Sequence, residues 1–505
     1  MKIRQITTCD TCRARKIACL RGRRTCPGYQ HPFIFRQPVV GAPRRKGDTQ
    51  RPKRRRTGSA DAPKPPSSVT FGSTSTSQVQ TDSQLRRILS QERLSSIRPP
   101  LAWPLLDMVS LVVQNFSPHR LSKLRHTDSS DTHDLAPRLC GAWVETLPFL
   151  ACHEMADKVL APSIKTLATS MVSRGPGGVA PVYDALKAHE LAISSIQSGI
   201  RSIKGGQSSD SSILAAAVTC LFLAELLLPT SASGAAIHAN GVGDLFQMHS
   251  PGFYSSGLDH QLFVGIRPVL FIHSILVRRE GFLSDPRWIV GPFSLRKETH
   301  LQKLMSEVSM LPSILRAADE LLERPEDASL PDLLSDDEVV AVIDRFSRQI
   351  DIVSMFEETY QDDSPDGSVF PLYPPDRHAS ISFPSITSAN IFTHIWAFHI
   401  ICARNIGQLL SRFPSAEAKV ESRLKQSISE DMILQLSILI LRSMDFLTSD
   451  DFKLSGAASA CLPLIVVIDV LKNEGQGHNK LSVWYERVLN MSMERGYHFL
   501  FERLL

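Results

Sequence analysis

The sequence predicts an all-α fold: a small cysteine- and arginine-rich unit over 1–35, a disordered basic linker over 36–100, and a large multi-helix domain over 101–505. Three observations support this. From Leu101 onward, apolar side chains recur every three or four residues in one segment after another, which is the helical period. Glycine and proline clusters, such as GPGG at 175–178 and Gly205-Gly206, fall between those segments as stops. No run of alternating strands bounded by hairpin turns is present.

Charge divides along the same boundaries. The 505 residues carry a formal net charge of +5, yet residues 1–60 hold 17 basic side chains against only Asp10 and Asp48. The remaining 445 residues are net −10, so a basic head is attached to a mildly acidic body. With 43% apolar and 21% charged residues, the body can bury sizeable cores.

Four of the nine cysteines, Cys9, Cys12, Cys19 and Cys26, lie within 18 residues. The start, MKIRQITTCDTCRARK, has no apolar run after its positive residues, which predicts no secretory leader and a reducing compartment. There, clustered cysteines bind metal more often than they pair. Two cysteines separated by two residues can turn both sulfurs onto one ion, and Cys19 and Cys26 complete four thiolates, enough for one tetrahedral Zn²⁺. A short helix between Cys12 and Cys19 would present Arg13, Arg15 and Lys16 to phosphates or to guanine edges of double-stranded DNA. The other five cysteines, Cys140, Cys152, Cys220, Cys402 and Cys461, are single and read as buried thiols.

In the linker, Phe71 is the only aromatic residue and 57–96 contain 15 Ser or Thr, so no core can form there. Its basic runs, Arg44-Arg45-Lys46 and Lys53-Arg54-Arg55-Arg56, are spaced like a two-part nuclear-import signal and predict a nuclear protein. The body then reads as helices over 104–116, 151–174, 180–204, 209–228, 234–249, 259–281, 299–323, 336–360, 384–413, 416–448, 454–472 and 479–505. The most membrane-like stretch, 213–228, is too short to span a bilayer and contains Glu225, so it reads as a core helix and no membrane contact is expected. Residues 317–363 hold 15 acidic groups against Arg324, Arg345 and Arg348. That stretch is either the solvated faces of two helices or a recruitment surface for the transcriptional machinery.

The run Cys9-x2-Cys12-Arg13-x-Arg15-Lys16-x2-Cys19, with its Cys26-Pro27-Gly28-Tyr29 ending, resembles the fungal zinc-cluster transcription factors of the Zn₂Cys₆ type. The resemblance implies RNA polymerase II-type transcription regulation, with Arg15 and Lys16 approaching a CGG half-site and Arg13 holding phosphate. The family has six cysteines and two Zn²⁺; here four remain, enough for one ion. About nine residues with two ligands are missing relative to that pattern, through true loss or a mis-read intron. In the body, His238-x2-Gly241-x3-Leu245, Arg267, Arg278-Arg279 and Phe282-Leu283-x2-Pro286-x-Trp288 resemble the fungal-specific transcription factor domain. That resemblance implies a regulatory, non-catalytic module able to form a homodimer. The rival expectation is a regulatory or scaffold protein whose degenerate zinc module no longer binds DNA specifically.

No enzyme is expected. His153-Glu154 and His189-Glu190 lack the second His of a zinc-protease helix, GPGG and GQG lack the ending of a phosphate loop, and no G-x-S-x-G elbow occurs.

Overall fold

The computed structural model describes residues 103–497, apart from 118–141, 155, 175–179, 203–207, 232, 325–335, 363–368, 377–378, 420–423, 425–426, 474–478 and 496. All of these belong to one compact unit, Asp82–Leu505. The expected zinc module, linker and import signal lie outside the described residues. The body is all-α: fifteen α-helices are present among the described residues, and the only extended pairing there is the single bridge Leu372–Ser382.

The order is α1 (Leu105–Phe116), α2 (Leu147–Leu150), α3 (Ala161–Arg174), α4 (Val182–Ser202), α5 (Ser208–Leu227), α6 (Gly234–Phe246) and α7 (Gly257–Leu276). Then come α8 (Pro286–Val290), α9 (His300–Glu307), α10 (Leu311–Leu322), α11 (Asp336–Asp362), α12 (Ile386–Arg412), α13 (Glu430–Leu447), α14 (Lys453–Asn473) and α15 (Asn479–Glu494).

Three expected helices are shorter or divided. Over 151–174, a turn and a π-turn precede α3, whose second residue is Pro162. A proline has no N–H and its ring meets the preceding turn, so it favours a helix start, although Pro268 and Pro463 do lie inside α7 and α14. Pro312 does the same at the second position of α10 and splits 299–323 into α9 and α10. Over 416–448, a 3₁₀ turn (Pro414–Lys419) comes first, and α13 begins only after Ser429. The Ser429 side chain accepts the Met432 N–H at 3.3 Å, while Glu430 and Asp431 favour the positive helix end.

α12 is the axis of the C-terminal half. Ile391, Phe392, Ile395, Trp396, Phe398 and Cys402 are buried on every side of it, and α11, α13 and α14 pack around it. Among the described residues, helices α12 and α14, and not 213–228, are the ones long and apolar enough to cross a membrane. Yet 83% and 72% of their most apolar stretches are buried inside the body, as expected of core helices.

Two arginines join helices. Arg267 on α7 is 1% exposed, and donates to Gln302 O and Oε1, both at 3.0 Å, and to Ser306 Oγ at 2.8 Å. Glu298 lies 3.6 Å away and the Phe293 ring faces the guanidinium. Burial lowers the Arg267 pKa to about 10, with Glu298 opposing the shift. Arg278 ends α7 in the left-handed region at φ 50°, which lets Arg279 N–H reach Ser274 O at 3.1 Å and close the helix. That conformation costs a non-glycine residue about 1 kcal/mol. Its guanidinium offsets this by clasping Asp319 through both carboxylate oxygens (2.6 and 2.7 Å) and Asn405 Oδ1 at 2.7 Å, so α7, α10 and α12 meet at one side chain.

Candidate functional site

α5 is apolar on nearly every face, and a charge on such a helix must find partners or be expelled. Glu225, in its last turn, is 1% exposed. The loop after α5 folds back so that Thr230 N–H donates to Glu225 Oε2 at 2.9 Å and the Thr230 hydroxyl donates to Oε1. The chain then enters α6 at Gly234 directly beside the carboxylate. A Cβ on Gly234 would run into the Glu225 carboxylate and force it to move. The N-terminal turn of α6 adds a positive partial charge next to the carboxylate.

Two histidines complete the cluster. His189 on α4 is 8% exposed, and its Nε2 lies 3.2 Å from Glu225 Oε1. Nε2 is buried and no acceptor stands in line with it, so the two groups touch without a directed hydrogen bond. His238, one turn into α6, meets His189 edge to face at 5.9 Å between ring centroids. One ligand atom from each of His189, Glu225 and His238 lies within 4.8 Å of the other two. Burial raises the Glu225 pKa, but the contacts from His189 and Thr230 outweigh it and hold the carboxyl below its ordinary value. Burial pushes His238 down to about 4, against the attraction of Glu225 and aided by His189. His238 therefore presents neutral imidazole at physiological pH.

The candidate metal ligands Cys9, Cys12, Cys19 and Cys26, the DNA-facing Arg13, Arg15 and Lys16, and the import residues Arg44, Arg45, Lys46, Lys53, Arg54, Arg55 and Arg56 lie outside the described residues. The family-like residues of the body fall into separate places. Phe282 meets Trp288 edge to face at 4.6 Å, and Tyr254 and Phe263 pack on the same indole. Gly243 runs against Phe282. Arg267 and Arg278 are the two helix-joining guanidiniums, and only His238 reaches the buried cluster.

The other two members, His189 and Glu225, have no motif signal, since they lie on different helices. Glu225 did carry one hint: it is the lone charge in the apolar stretch 213–228, and such a charge requires partners. Cys220 and Cys402 are buried thiols with pKa values pushed far up by burial, hence unreactive. Cys152 departs from the expectation and is exposed. Cys140 is outside the described residues. Within the acidic stretch, the described groups do not all face solvent: Glu357 on α11 is half-buried, and burial together with the adjacent Glu358 charge raises its pKa to about 7.

No family model, curated protein or solved structure matches this chain.

Proposed function

We propose that the protein is a nuclear, sequence-specific DNA-binding transcriptional regulator, with a zinc-stabilised basic helix at one end and an all-α regulatory body at the other. The observation that carries this reading is the run Cys9-x2-Cys12-Arg13-x-Arg15-Lys16-x2-Cys19 with Cys26. It combines a zinc-chelating spacing with three cations on the one stretch that the chelate would hold rigid. The large helical body with its closely packed core suits a regulatory partner module.

The test is affinity of the full chain for a CGG-containing duplex and for a scrambled one, across salt concentration. Replacing Arg15 or Lys16 with Ala should weaken CGG binding by roughly 10–100-fold each, while Arg13→Ala should weaken both duplexes alike. Equal affinity of the unaltered chain for the two duplexes would overturn the reading. It would favour a second one, a scaffold with a degenerate zinc module, for which the presence of four cysteines in place of six already speaks. In that case the remaining affinity is electrostatic and disappears with salt.

A further inference from the structure

We infer that His189, Glu225 and His238 form a binding site for a zinc-class divalent cation inside the helical body, separate from the N-terminal cysteines. The argument begins with spacing. Two ligands each about 2.0 Å from a tetrahedral ion stand about 3.3 Å apart. His189 Nε2 and Glu225 Oε1 stand 3.2 Å apart, off the line that a hydrogen bond would take. The pair thus already occupies two corners of a coordination sphere. All three ligand atoms lie within 4.8 Å of one another, so side-chain movement of at most about 1.5 Å brings the widest pair to the same spacing.

The donor set selects the ion. Two imidazoles and one carboxylate suit Zn²⁺ and its neighbours Co²⁺ and Ni²⁺, whereas Mg²⁺ and Ca²⁺ take oxygen ligands. The surroundings fit a ligand role as well. Thr230 fixes the carboxylate from its backbone N–H and its hydroxyl, as outer partners of metal ligands do. Gly234 leaves the carboxylate the only space it has. His189 places a buried nitrogen that lacks an aligned hydrogen-bond acceptor, on a side chain 11% exposed, against that carboxylate. Each ligand comes from a different helix, α4, α5 and α6, so the ion would clamp the three together.

The test uses the full chain carrying Cys9→Ser and Cys12→Ser, which breaks up the N-terminal thiolate set, with Co²⁺ as the probe. One Co²⁺ per chain should bind, with visible d–d bands and no near-ultraviolet thiolate-to-cobalt band, and the thermal melting temperature should rise. Adding His238→Gln should weaken that uptake at least about 100-fold. Thr230→Val keeps all three ligands and should weaken it about 10-fold. The Thr230 variant keeps the test decisive if His238→Gln fails to fold. Absence of Co²⁺ uptake by the cysteine variant overturns the inference, as does uptake unchanged by either body substitution. Failure of the DNA-binding proposal leaves this outcome untouched, because the probe reports on the body alone.

Discussion

The two proposed metal sites differ in how their side chains are brought together. Cys9 to Cys26 lie within 18 residues and owe their proximity to the chain itself. His189 and Glu225 are 36 residues apart, Glu225 and His238 a further 13, and three packed helices unite them. A thiolate set that local would draw its folding energy from the ion it binds. The buried cluster inverts that relation: the fold assembles the ligands first, and an ion would add to a structure already formed. The contrast predicts that metal withdrawal acts on one end of the molecule as loss of structure and on the other as a modest loss of stability.

The sharpest way to break the comparison is Cys12→Ser. CGG-specific affinity should fall by about 10³-fold or more, down to the electrostatic background, while the far-ultraviolet helix signal of the body stays constant. A parallel loss of helix signal would show that the two ends are not independent. Second in size is Gly234→Ala. The added methyl group displaces the Glu225 carboxylate from Thr230 and from the start of α6, which should destabilise the body by about 3 kcal/mol. A denaturant titration reads this, and DNA affinity measured below the transition should not change.

The smallest effect sharpens the reading of the acidic stretch. A folded-state pKa near 7 for Glu357, above its ordinary 4.5, means that the folded chain holds this proton more tightly than the unfolded chain does. Its contribution to stability is therefore greatest below about pH 4.5 and is lost as pH rises through about 7. Glu357→Gln removes the dependence. Because the side chain is only half-buried, water screening holds the gain to about 1 kcal/mol at pH 8, with no gain near pH 4. A shift in denaturation midpoint that is equal at both pH values would contradict this.

The sequence made the helical body legible because its evidence is local: apolar spacing and glycine breaks identify each segment without reference to any other. Where it failed, the deciding residue was in plain view and outweighed by periodicity. Pro162 and Pro312 reset helices through which the apolar pattern runs on, and Ser429 caps α13 in the middle of a span that keeps its helical rhythm. The buried cluster was illegible for a different reason. Two imidazoles and a carboxylate on three helices share no spacing, and only tertiary packing brings them together. Glu225, a charge that an apolar helix could not leave unpartnered, was the single trace of it.

The clasp of Arg278 has a kinetic meaning. Its carboxylate partner lies 41 residues along the chain and its amide partner 127 residues along. Closing the guanidinium on Asn405 shuts a loop of 127 residues, and the entropy cost of that closure predicts a contact made late in folding. An interaction absent from the transition state resists unfolding without speeding folding. Arg278 is then a latch that sets the lifetime of the folded body more than the time needed to reach it.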